Sequence, residues 1–83
     1  MSPVQIKKMR SKFELTQAQM AVALGVGTLT LSQYEIGFRK PGGSVLLLMA
    51  LLDSLPLKKA LALIDDLTGV AVKLEAKNRG KTE

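Results

Sequence analysis

An all-α fold of five short helices is what this sequence predicts, and three observations predict it. Two capping boxes stand ahead of apolar residues spaced at threes and fours. Glycines and prolines fall between the apolar stretches, where they end helices rather than interrupt them. With 83 residues there is length for one core and none for a second.

The first helix opens at Ser2, with Pro3 at its first position and Gln5 three residues after the serine, and its inner face carries Ile6, Met9 and Phe13. Thr16 with Gln19 announces a second helix, which runs through Met20, Ala21 and Leu24 to a left-handed stop at Gly25. Only Val26 and Gly27 separate it from a third stretch, Thr28 to Ile36, which ends at Gly37. Two short helices joined by so tight a turn cannot lie antiparallel, so the expected arrangement is a helix-turn-helix crossing near a right angle. Phe38-Arg39-Lys40-Pro41-Gly42-Gly43 is a basic loop whose proline and paired glycines exclude helix. Ser44 is expected to cap a fourth helix containing Val45 to Leu52. After Ser54-Leu55-Pro56 a fifth carries Leu57, Leu61, Ile64 and Leu67 on one stripe and stops at Gly69.

The run from Val45 to Leu52 is apolar all round, so it needs cover on both sides: the helix-turn-helix on one, and the fifth helix or a second copy of the chain on the other. Val70, Val72, Leu74 and Ala76 then alternate with strand period. Either they form a short C-terminal strand paired with its own copy across a two-fold, or they extend the fifth helix. Asn78 to Glu83 is polar and expected to be disordered. The division is thus a domain over 1–69, with its motif at 17–36, and a tail over 70–83 open to a role in dimerisation.

Composition narrows the chemistry. There is no Cys, His or Trp, which excludes thiol nucleophiles, disulfides, Cys/His zinc sites and Ser-His-Asp triads. An enzyme would have to be built on Asp65, Asp66 and Tyr34, with no phosphate loop and no catalytic constellation. No catalytic residue, metal, cofactor or ligand pocket is expected. The net charge is +5 and the pI about 9.8, and the surplus concentrates early. Lys7, Lys8, Arg10, Lys12, Arg39 and Lys40 stand against Glu14 and Glu35 in the first half, pointing that half toward a polyanion. The longest apolar run is far short of the roughly 20 residues a spanning helix needs, and no apolar segment follows Lys7 and Lys8 as in a signal peptide. A cytoplasmic protein with no membrane partner is expected.

Residues Gln17 to Ile36 resemble the helix-turn-helix of phage Cro/C1-type repressors, the XRE-type regulators. The likeness lies in Gln17, Met20, Ala21, Leu24, the turn Gly25, Val26, Leu31 and Tyr34. Arg10 upstream and Glu35-Ile36-Gly37 with Arg39-Lys40-Pro41 downstream extend it to about half the chain. It implies a lambda-repressor-like domain whose Arg10 and Glu35 form an internal ion pair. It also implies a recognition helix over 28–36 that offers Thr28, Leu29, Ser32 and Gln33 to base edges in the major groove. With no Arg or Lys on that helix, the directly read pairs are expected to be A·T, Gln33 bonding adenine and Thr28 and Leu29 touching thymine methyls. Gln17, at the start of the second helix, and Arg39, Lys40, Gly43 and Ser44, around the fourth, are the implied phosphate contacts. Lys7, Lys8 and Lys12 either add to the field or form a solvated helix face. Phe38 reads as a loop anchor packed on the core. One slot departs from the family: Gly27 stands where Ser or Thr is usual, so Thr28 could cap the helix instead and leave base contact.

The function implied is a sequence-specific double-stranded DNA-binding regulator of bacterial or phage origin. It would act as a homodimer on a palindromic operator and repress its own or a neighbouring promoter. The alternative is an antitoxin that also autoregulates its operon, with Leu57 to Glu83 binding the toxin.

Overall fold

The structure, a computed structural model, describes residues 1–81, with the side chains of residues 1–75. Five α-helices follow one another: α1 (Pro3–Lys12), α2 (Gln17–Leu24), α3 (Thr28–Glu35), α4 (Gly43–Ser54) and α5 (Leu57–Lys81). Both capping boxes form. The Ser2 hydroxyl accepts from the Gln5 N–H at 3.2 Å while the Gln5 side chain accepts from the Ser2 N–H at 2.7 Å. Thr16 and Gln19 repeat the exchange at 3.1 and 2.9 Å. Each box satisfies two backbone donors at a helix start.

The turn after α2 is built as glycine allows: Gly25 takes φ 71°, and the Val26 N–H returns to the Ala21 carbonyl at 3.0 Å. α1 stops without glycine. Glu14 adopts φ 55° after the cap at Phe13, and the Leu15 N–H reaches back to the Arg10 carbonyl. This left-handed stop carries a small strain that no residue type in the sequence announces.

One core closes the five helices. Ile6, Met9 and Phe13 come from α1 and its cap, Met20, Ala21 and Leu24 from α2, Leu31 and Tyr34 from α3, Met49 and Leu52 from α4, and Ala60 and Ile64 from α5. Ile6, Met20, Leu31, Met49 and Leu52 are sealed from solvent.

Several expectations are corrected. Helix α5 does not stop at Gly69 but runs through it to Lys81, so of the two readings of Val70, Val72 and Leu74 the helical extension holds and the strand does not. An existing helix extends one hydrogen bond at a time, whereas a lone strand has no partner for its backbone groups. The backbone over 78–81 is helical too, and Thr82 and Glu83 lie outside the described residues. At 25 residues α5 is about 38 Å long, close to the 41 Å long axis of the molecule. Its far end overhangs, leaving Val70, Val72 and Leu74 more than half exposed. Ser44 is not the cap of α4; Gly42 is, with no side-chain hydrogen bond. The buried face of α5 is Ala60 and Ile64 flanked by Leu63 and Leu67, while Leu57 and Leu61 turn outward. Leu47 and Leu51 of α4 are likewise exposed, so the second side of the apolar helix has no cover among the described residues. Phe38 is 76% exposed and anchors nothing in the core.

Candidate nucleic-acid interface

Helix α3 divides cleanly. Leu31, Tyr34 and Glu35 face inward, while Thr28 and Leu29 are exposed and Ser32 and Gln33 half-buried. The four residues expected to read bases therefore share the outward side. Gly27 is the N-cap, so Thr28 is the first helical residue and does not take the cap role.

The basic loop is tied to this helix by its backbone. The Gln33 carbonyl accepts from the Phe38 N–H at 2.9 Å and from the Arg39 N–H at 3.3 Å. A carbonyl has two lone pairs, and using both fixes the chain direction just after α3. Gly37 allows the reversal with φ 80°, and a Cβ there would meet the Pro3 ring at 3.3 Å. Arg39 and Lys40 are exposed in the loop that follows α3. The first turn of α4 follows at once. Gly42 caps it with no side-chain hydrogen bond, Gly43 and Ser44 are exposed, and a Cβ on Gly42 or Gly43 would meet nothing within 4 Å. N–H groups at a helix start suit an anionic acceptor.

Behind the face lies a polar network. Arg10 grips Glu35 with two hydrogen bonds, Nε to Oε2 at 2.7 Å and Nη2 to Oε1 at 3.0 Å, and its Nη1 donates to the Leu15 carbonyl at 3.0 Å. The guanidinium thus ties α1, the turn before α2 and the end of α3 together. Burial pushes the Glu35 carboxyl up, but hydrogen bonds from Arg10 and Gln17 and the charges of Arg10 and Lys7 outweigh it and hold it below the ordinary carboxylate value. The bond to Glu35 raises Arg10 further, against the opposing pull of its own burial.

Gln17 is drawn into this network. Its amide Nε2 donates to Glu35 Oε1 at 3.3 Å, a contact the sequence does not disclose because the partners lie 18 positions apart. One amide hydrogen and the backbone N–H remain for an external acceptor at the start of α2. Lys12 is engaged elsewhere: it stands 3.6 Å from Asp53 of α4 and 5.2 Å above the Phe13 ring. Lys7 and Lys8 are exposed. Leu29, Ile36 and Phe38, between 72% and 76% exposed, add an apolar component around the recognition face that only Leu29 had signalled.

Against known families, residues 1–61 match the model described as the antitoxin component of bacterial toxin-antitoxin system, MqsA. No curated protein and no solved structure matches the chain.

Proposed function

The chain belongs to the MqsA antitoxin family, and we propose that it is the antitoxin of a toxin-antitoxin pair that also represses its own operon by binding operator DNA. Among the described residues no helix is long and apolar enough to cross a membrane, and the proposed site of action is the cytoplasm. The family match favours the antitoxin role over a repressor without a toxin partner. The observation that supports the DNA-binding half is exposure: Thr28 and Leu29 exposed and Ser32 and Gln33 half-buried on α3, with Arg39, Lys40, Gly43 and Ser44 exposed in the loop and the helix start that follow it. The likeness of residues 17–36 to Cro/C1-type motifs supports laying α3 in the major groove.

In this reading phosphates are held by the loop, by the start of α4 and by the free N–H groups at Gln17, which set register without reading sequence. Gln33 reads adenine, and Leu29 and Thr28 meet thymine methyls. Glu35 and Arg10 act from behind, keeping α3 at a fixed angle to α1 and α2. A single recognition helix covers only a half-site, so the operator complex is a dimer with helices about 34 Å apart. The exposed Leu47, Leu51, Leu57 and Leu61 provide the surface for that pairing.

Selection of bound sequences from random duplex DNA is the direct test, and it should return an A·T-rich palindrome with half-sites about one helical turn apart. On that operator Gln33→Ala should cost about 1–3 kcal/mol and relax preference at one adenine per half-site. Lys40→Ala should weaken every sequence alike. No enrichment, or equal losses for Gln33→Ala on operator and random duplex, would sink the base-reading assignment. Copurification with the product of an adjacent small reading frame tests the toxin half.

A further inference from the structure

A pocket of about 290 Å³ opens where the start of α1, the end of α3 and the basic loop meet. Ile6, Pro41 and Leu46 give it an apolar wall, Arg39 and Lys40 bring two cations, and Tyr34 lines it as well. Tyr34 is only 6% exposed, and its hydroxyl makes no hydrogen bond to any described residue. No side-chain oxygen sealed from solvent lacks a partner among the described residues, so this hydroxyl is not sealed. Some of the Tyr34 O–H therefore reaches the surface, and Tyr34 is one of the residues lining this pocket. A phenol held by a nine-tenths buried ring and left without a protein partner is set to bond whatever enters.

We propose that this pocket binds a small organic carboxylate with an apolar ring, between benzoate and phenylpropanoate in size, and that its occupancy weakens DNA binding. The chemistry follows from the lining. An apolar body covers Ile6, Pro41 and Leu46, as in the small ligand sites that pair apolar walls with a few convergent polar groups. The carboxylate then meets Arg39 or Lys40 and accepts from the Tyr34 hydroxyl, a charge-assisted set. Inorganic phosphate would leave the apolar wall uncovered, and a neutral ring would leave both cations unused. Arg39 and Lys40 are the same side chains assigned to DNA phosphate, so ligand and DNA compete for them. Binding itself does not depend on the DNA-binding reading; the regulatory consequence rests on it.

The test titrates the isotope-labelled full chain with benzoate, 3-phenylpropanoate, benzyl alcohol and inorganic phosphate, following backbone amides by NMR. The two carboxylates should give saturable shifts at Ile6, Gly37, Arg39 and Leu46, and benzyl alcohol and phosphate should bind about tenfold more weakly. Tyr34→Phe keeps the ring and the fold and should weaken the carboxylates about threefold to tenfold. With operator DNA, the carboxylates should lower the affinity of the unmodified protein and reduce its salt dependence by up to two released counterions, an effect diminished in Tyr34→Phe. Absence of saturable shifts, phosphate matching the carboxylates, or Tyr34→Phe binding them undiminished overturns the site. Carboxylate binding by a protein that binds no duplex leaves the site standing and removes the DNA reading. Duplex binding indifferent to bound carboxylate removes the regulatory consequence alone.

Discussion

The half of the molecule made by α1 to α3 and the half made by α4 and α5 draw on similar apolar residues yet are closed in different ways. In the first half, α1 and α2 begin in capping boxes, the turn between α2 and α3 is set by Gly25, and Arg10 with Glu35 joins the outer helices. In the second, α4 starts on an uncapped glycine, and Leu47, Leu51, Leu57 and Leu61 stand 73%, 48%, 48% and 40% exposed. The difference separates a part specified by its own local polar contacts from a part whose surface another chain can complete.

The largest expected effect tests whether that division is energetic. Leu31 is sealed in the core, and Leu31→Ala should cost about 3–4 kcal/mol from lost transfer energy and the cavity left behind. Leu47→Ala, with most of its side chain already in water, should stay within about 0.5 kcal/mol in the monomer. Urea unfolding at low protein concentration measures both. A comparable loss for Leu47→Ala would mean that the second half is packed more tightly than its exposure implies, or that the protein unfolds from a dimer.

Next in size is the ion pair. Its side chains are 18% exposed for Arg10 and 3% for Glu35, so Arg10→Met would leave Glu35 poorly compensated and should cost about 2–3 kcal/mol. The pH dependence carries a sign. The folded state holds Glu35 below its unfolded value of roughly 4.3, so the contribution is fully present above that value and is lost as pH falls through the folded one. Stability of the unmodified protein should therefore drop on acidification below about pH 4.5, and Glu35→Gln should lack that portion of the drop. Parallel acid profiles for the two proteins would show that the pair contributes nothing to the closure of the first half.

This contrast also explains what was legible. The five-helix count, both capping boxes and the Gly25 turn could be read because each is announced by a residue type at a fixed local spacing, whereas the Arg10–Glu35 pair, 25 positions apart, was implied only by the likeness to Cro/C1-type motifs. The phase of α5 could not. Its most buried residue is Ala60, and an alanine gives no apolar mark beside Leu57 and Leu61, which a stripe drawn by residue size places inward. Gly69 misled for a related reason: a glycine signals a helix end only when the chain must reverse there, and nothing near it requires that. On the candidate site, Thr28, Leu29, Ser32 and Gln33 do fall on the outward side, as the helical period of α3 dictates. The inward pull on Gln17 and the free hydroxyl of Tyr34 depend on side chains from other helices, and no local spacing encodes them.

The smallest expected effect reverses in sign between two glycines, one from each half. Gly25 sits at φ 71°, so although a Cβ would meet nothing within 4 Å, alanine there must hold a left-handed backbone and should cost about 1 kcal/mol. Gly69 lies inside α5 with ordinary helical backbone and the same open space around it, so alanine meets no clash and removes the entropy glycine loses on ordering. Gly69→Ala should favour the helix by about 0.5–1 kcal/mol. The overhanging end of α5 has few neighbours to lock it, so the gain should register first as slower hydrogen exchange of the amides at 70–75 and as added helical ellipticity, with a smaller rise in Tm. If Gly69→Ala instead lowers ellipticity or speeds exchange at those amides, the helix ends at Gly69 in solution and the 70–75 segment belongs to neither half.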